Sequence, residues 1–207
     1  MLRIAVLASG SGTDLQAILD ACETGQIDGQ VVIVISNKED AHALKRAREY
    51  EAKAVFIDHR GMSREAHEWR ITEELDAMNI DLIVLAGYLR MFTNYIIDEY
   101  KNKIINIHPA LLPKYGGKGM HGMNVHQAVL DSGDSESGCS VHFVTEGVDE
   151  GPVIARMHVP VKPDDTPKTL QERVLKAEHL LLPMVVQWFA QGKVYPENFK
   201  IIDMPQS

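Results

Sequence analysis

The chain has 207 residues, 45% hydrophobic and 24% charged, the balance of a soluble globular domain; a disordered or fibrous protein is excluded. At this length about 70% of the extended-chain surface can be buried, so one core holds without disulfides or a structural metal. With 21 Lys and Arg against 29 Asp and Glu the formal charge is -8, so the overall field repels polyanions. Nucleic acid is not expected as a partner, and an anionic ligand needs a locally built site.

In chain order, the apolar run at residues 4–8 reads as a strand that ends in Ser9-Gly10-Ser11-Gly12. It is too short for a secretory core or a bilayer span, so a cytoplasmic, non-membrane protein is expected. Helical spacing follows from Asp14 to Leu19, with Gly25 as its stop. Residues 31–35 form a second, β-branched strand, residues 41–52 a helix and residues 54–57 a third short strand. Ser63 is placed to cap a helix reaching about Asn79, with Glu65 in its first turn. Two more buried strands, at residues 81–86 and 103–107, flank a short helix at 94–100.

Apolar runs without alternation mean strands covered on both faces, and their interleaving with helices predicts a Rossmann-like α/β fold with a mostly parallel sheet. After Pro109 the pattern changes to a Gly-rich loop ending at Gly122, a helix at 124–132, and closely spaced strands at 138–144 and 152–161. That spacing predicts antiparallel pairing near the C-terminal part. Thr166 and Pro167 fit the N-cap and first position of a long last helix, which Pro183 is expected to kink or break before Gly192. Cys22 and Cys139 match no metal or redox spacing and read as small buried hydrophobes.

In an open α/β sheet, ligands bind beyond the carboxyl ends of the strands, so residues there are the functional candidates. The loop through Gly12, Thr13 and Asp14 suits a phosphomonoester at a helix N-terminus. It departs from the dinucleotide fingerprint, because Leu15 stands at the third glycine and no acid follows the second strand at Ser36-Asn37. Read alone, it also suits a tight turn without ligand. Asn106 and His108 alternate onto one face at the end of their strand, with Pro109 closing further pairing; an amide donor beside an imidazole suits an oxyanion site with a proton-transfer partner.

Farther on, His142 lies in a strand ahead of Asp149, whose carboxylate would raise the pKa of His108 if the fold brought the two together. Arg64, with Leu89, Arg90, Met91 and Phe92, suits a flat heteroaromatic ring carrying a carboxylate tail, and equally suits packing and surface charge. His121 and His126 lack metal-ligand spacing, so no metal is expected.

These segments resemble the phosphoribosylglycinamide formyltransferases, a branch of the folate-dependent formyltransferase family. The resemblance is carried by residues 8–16, 85–90, 104–113, 140–144 with 149–154, Arg173-Val174 and Glu178-His179. It implies transfer of a formyl group from 10-formyltetrahydrofolate to the amine of glycinamide ribonucleotide in purine synthesis, without metal or covalent intermediate. It implies one domain over residues 1–207, with a phosphate-binding half (1–108) and a folate-binding and catalytic-loop half (109–207), acting as monomer or homodimer.

By position the resemblance makes Asn106, His108 and Asp149 the catalytic trio, and Gly12, Thr13 and Asp14 the phosphate loop. Glu178 becomes the acid near the substrate amine, and Arg64, Leu89, Arg90, Met91, Phe92, His142 and Val144 the folate side. Two departures stand out: Thr13-Asp14 where many relatives carry Ser-Asn, and residues 116–121 in place of a Pro-Gly turn. The rivals are a methionyl-tRNA formyltransferase, disfavoured by the charge and by a missing carboxyl-terminal domain, and a formyltetrahydrofolate deformylase, disfavoured by a missing amino-terminal domain. A non-catalytic nucleotide- or folate-binding module on the same scaffold is the alternative of a different class.

Overall fold

A computed structural model describes residues 1–194 and 201–205. In chain order its elements are β1 (Leu2–Leu7), α1 (Thr13–Glu23), β2 (Gly29–Ser36), α2 (His42–Glu49), β3 (Lys53–Phe56), α3 (Arg64–Asp76) and β4 (Leu82–Leu85). They continue with α4 (Asn94–Glu99), β5 (Ile104–His108), α5 (Met123–Ser132), β6 (Glu136–Phe143), β7 (Val153–Pro160), α6 (Pro167–Ala190) and β8 (Ile202–Pro205). The strands form one sheet in the order β3-β2-β1-β4-β5-β6-β7-β8. Its pairings are parallel except β5 with β6 and β6 with β7, so β6 alone runs against the rest. The expected mostly parallel α/β fold is therefore found, with its antiparallel strand in the C-terminal part.

The unalternating strand sequences follow from cover on both faces. In β1, Ile4 and Val6 pack with residues of α1, α2 and α6, while Ala5 and Leu7 pack with Ile71 and Leu75 of α3 and Ile96 of α4. Helix starts follow local chemistry. The Ser63 hydroxyl accepts from the Ala66 amide at 3.1 Å, and Thr166 and Thr169 form a reciprocal capping box ahead of Pro167. Cys139 is buried in the core, Cys22 packs at its edge, and both are free thiols. Among the described residues no helix is long and apolar enough to cross a membrane.

Two elements depart from the sequence expectation. Helix α6 runs unbroken through Pro183. An interior proline costs about 3 kcal/mol or more, but Leu181, Leu182, Val185 and Val186 on both sides of it are fully buried, and their burial outweighs that cost. Strand β8 was not anticipated; it adds in parallel to β7, pairing Ala155 with Ile202. Its four residues carry too little pattern to announce a strand.

Candidate active site

Because β1, β4 and β5 are parallel, the loops after them open on one edge of the sheet. Alternation along β5 sends Ile105 and Ile107 into one core layer and leaves Asn106 and His108 on the opposite face. The antiparallel register then sets Asn106 across from His142 and His108 across from Ser140. The Ser140 hydroxyl donates to the Ala110 carbonyl at 2.7 Å and accepts from the Leu112 amide at 3.0 Å, fixing the chain as it leaves β5.

The connection from β6 to β7 folds back over this face and places Asp149, at φ 58°, between two imidazoles. One carboxylate oxygen lies 3.5 Å from Nδ1 of His108 and the other 3.6 Å from Nε2 of His142. The Gly117 amide donates to Asp149 at 3.1 Å, so the Gly-rich loop holds the carboxylate from the far side. A side chain at Gly116 would come within 2.7 Å of Leu112 and 3.2 Å of Asp149, which is why glycine stands there.

Ring protons can be placed from their acceptors, because a carbonyl only accepts. His142 Nδ1–H donates to the Phe143 carbonyl at 2.8 Å, leaving Nε2 to accept from the Asn106 amide at 3.1 Å. His108 Nε2–H donates to the Tyr115 carbonyl at 2.7 Å, leaving Nδ1 toward Asp149. Burial pushes His108 below the ordinary histidine value, although Asp149 and the Tyr115 carbonyl pull upward. The sequence expectation had the carboxylate raising this imidazole; the upward pull is present, and desolvation exceeds it. For Asp149 the balance is reversed. Burial raises it, but the neighbouring His142 and His108 rings and the donating Gly117 amide together take it below the usual carboxylate range.

The loop after β1 forms the second half of the candidate site. Gly12 caps α1 at φ 70°, and a Cβ there would meet Ala43 at 2.8 Å, so both conformation and close approach require glycine. The first amides of α1 have no intrahelical partners and carry the positive end of the helix dipole, an arrangement suited to an anion. Beside it opens a cleft of about 420 Å³ lined by Thr13, Gln16, Arg46 and His179 among others. Arg46, which sequence reasoning missed, donates to the Ser11 carbonyl at 2.9 Å and to Gln16 at 2.7 Å, a local cation in an acidic chain. Only its contact across to α1 reveals it.

Glu178 is buried close to Asp14, and is not among the groups touching Asn106, His108 or Asp149. Burial, then the charge of Asp14, holds Glu178 well above the usual carboxylate range; burial raises Asp14 to about 6.

On the proposed folate side the residues separate. Leu89 and Met91 are exposed, and Arg64 opens α3 at the surface. Phe92 is instead buried in the core against Tyr88, with ring centroids 5.8 Å apart, and Val144 packs on the same cluster. His142 sits among the catalytic candidates, because its cross-strand partner is Asn106. The Ser9 hydroxyl donates to Asn37 at 2.6 Å and accepts from the Leu89 amide at 3.0 Å, tying the loop after β1 to the loop after β4. His126 is buried, which pushes its ring down to about 4, while His121 is exposed. No group of three or more His, Cys, Asp or Glu able to hold a metal ion occurs among the described residues.

Comparison with known proteins accords with this geometry. The sequence model of the Formyl transferase family matches residues 2–186. The chain is 43% identical over 194 residues to the phosphoribosylglycinamide formyltransferase of Escherichia coli (strain K12), covering 93% of this chain and 89% of the relative. Glycinamide ribonucleotide transformylase 1 from Symbiobacterium toebii superposes with a TM-score of 0.90 at 43% identity, covering 96% and 92%. A formyltetrahydrofolate deformylase from Pseudomonas syringae shares the fold, with a TM-score of 0.85, but only 21% of its sequence. Taken with a match that spans nearly the whole sheet and both loops of the site, these likenesses establish that the chain belongs to the formyl transferase family.

Proposed function

We propose that this chain transfers a formyl group from 10-formyltetrahydrofolate to the primary amine of glycinamide ribonucleotide, a step of purine biosynthesis. The observation that carries the reading is the convergence of Asn106, His108 and Asp149, remote in sequence, on one face of β5 in a chain 43% identical to an enzyme of that name.

The neutral amine attacks the formyl carbon, and negative charge develops on the formyl oxygen. Preorganised donors at that position stabilise the transition state. Asn106 has two amide hydrogens; one is held by His142, which aims the other toward substrate. His108 enters neutral because burial dominates it. As the oxyanion forms, its charge adds to that of Asp149 and favours the imidazolium, which then becomes the second donor. Its Nε2–H is held by the Tyr115 carbonyl, and reaching substrate exchanges that bond. The proton leaving the amine passes by way of Asp149 and His108 to the departing folate nitrogen, so acceptor and leaving group are both served. Thr13, Asp14 and the amides of α1 are assigned to the phosphate, Glu178 to the far end of the same substrate, and Arg64 and Arg90 to the folate carboxylates.

Incubation with both substrates, followed by folate absorbance, tests the reading. A change that requires the ribonucleotide supports it. A change with formyl-folate alone supports the deformylase reading, and binding without any change supports a non-catalytic module.

A further inference from the structure

We propose that Tyr115 is a positioning residue for the reaction: its carbonyl keeps the ring proton of His108 on Nε2, and its side-chain hydroxyl holds that carbonyl in place from outside the site. The inference rests on the reading of His108 as an oxyanion donor and adds a residue to it.

A neutral imidazole has one ring proton, and two acceptors compete for it here. The Tyr115 carbonyl lies 2.7 Å from Nε2, whereas the Asp149 carboxylate lies 3.5 Å from Nδ1, beyond ordinary hydrogen-bond length. The other titratable groups facing His108 are His142 of β6, engaged by Asn106 and Phe143, and His126 of α5, which feels its charge. The carbonyl therefore takes the proton, and Nδ1 is left open toward Asp149. That division suits the reaction. Nε2 already carries the hydrogen to be offered to the oxyanion, and a proton arriving by way of Asp149 has Nδ1 to enter. With its proton on Nδ1 instead, the neutral ring would turn a lone pair at Nε2 toward the developing charge.

The carbonyl is held by a tyrosine in an unfavourable conformation. Tyr115 has φ 56°, a region that bulky L residues rarely occupy. Such conformations persist only where surrounding contacts impose them. Here the hydroxyl reaches the turn between α5 and β6, 2.7 Å from Oδ2 of Asp134 and 2.6 Å from Oγ of Ser132, and the ring packs on the edge of the core. Ser132 donates its own hydrogen to the Val129 carbonyl at 2.7 Å, so its oxygen can accept. Lys114 Nζ donates to the same Asp134 oxygen at 2.9 Å, and these two donors hold the carboxyl below its ordinary value, so the anchor is an ionised acceptor. Two residues on, the Gly117 amide donates to Asp149. One short segment thus fixes both members of the His108–Asp149 pair, and it is anchored on a turn that contributes nothing to the catalytic trio.

The test combines nitrogen-15 NMR of the histidine rings, at a pH where His108 is neutral, with steady-state kinetics of Tyr115→Phe, which deletes the hydroxyl and keeps the carbonyl. The wild-type ring is expected to report Nε2–H, and the variant a mixture with Nδ1–H. Turnover is expected to fall about fivefold, the size of one net hydrogen bond, with both KM values unchanged. Asp134→Ala removes the anchor from its other end; it is expected to give the same tautomer shift and decides the matter should Tyr115→Phe not fold. The double variant is expected to lose no more than either single one. A His108 tautomer untouched in both single variants overturns the proposal, as does a wild-type ring carrying Nδ1–H or a tautomer shift that leaves turnover unchanged, and each leaves the functional reading intact. Absence of ribonucleotide-dependent transfer in the wild type overturns the functional reading, and the NMR comparison still decides what Tyr115 does to His108.

Discussion

Asn106 stands directly across the β5–β6 ladder from His142, its amide nitrogen 3.1 Å from the ring Nε2. Because His142 is itself fixed by a bond to the Phe143 carbonyl, the pairing sets the roll of the Asn106 amide plane and thus where its second hydrogen points. An antiparallel strand beside the last parallel one is what makes this possible. A parallel neighbour would bring a different residue set to the same spot.

Asn106→Ala removes the donor while keeping the strand. Removing one preorganised oxyanion donor typically costs ~10²–10³ in turnover, about 3–4 kcal/mol. The expected outcome is a folded protein with turnover reduced by that factor, read by folate absorbance and by unchanged circular dichroism; His108→Ala is expected to behave likewise. Near-normal turnover in either variant refutes the assignment.

Asp149→Asn removes the charge that holds the His108 ring up against its burial. The sign follows directly: without the carboxylate the desolvation is unopposed, so the His108 titration midpoint moves further down. Ring-proton NMR across pH 4 to 8 reads it, and an unchanged or higher midpoint contradicts the geometry. Turnover is expected to fall with little change in either KM, because the carboxylate acts on the proton and not on ground-state binding.

Arg64→Ala and Arg90→Ala should raise KM for formyl-folate and leave KM for the ribonucleotide and kcat near wild type. Each is a solvated contact worth about 1 kcal/mol, roughly fivefold in affinity. Equal effects on both KM values would move these residues off the folate side.

Arg173 of α6 clasps Asp165 through both terminal nitrogens, at 2.6 and 2.8 Å, and holds that carboxyl well below its usual range. A depressed folded-state pKa contributes stability that is present above the unfolded value near 4 and is lost as pH falls through the folded one. Arg173→Ala is expected to cost about 2 kcal/mol at pH 7, measured by urea unfolding. The gap to wild type should close in strong acid, and a gap independent of pH would show that packing, not charge, is what the substitution removes.

The repeating helix and strand pattern is legible in the sequence because its signals are local. Ser63 and Thr166 cap the helices they precede, and Val31-Val32-Ile33-Val34-Ile35 is a strand wherever it is placed. The catalytic candidates Asn106 and His108 are legible together for the same reason, since two-residue alternation puts them on one face. That Phe92 packs against the Tyr88 ring, while Leu89 and Met91 of the same loop are exposed, is not legible in the sequence, because the contact is made only when the loop folds. Of the kink or break expected at Pro183, the break is not found, because the penalty is local and the compensation is not.

The residues alone thus determine a sandwiched, mostly parallel sheet, a glycine-capped helix suited to an anion, and an amide and imidazole side by side at a strand end. The folded chain alone decides that Asp149 lands between His108 and His142, that Glu178 meets Asp14, and that burial prevails over the nearby carboxylate in setting the His108 proton. Local pattern encodes backbone conformation, whereas these three relationships join segments from separate elements and depend on desolvation, which exists only once the chain has closed around them.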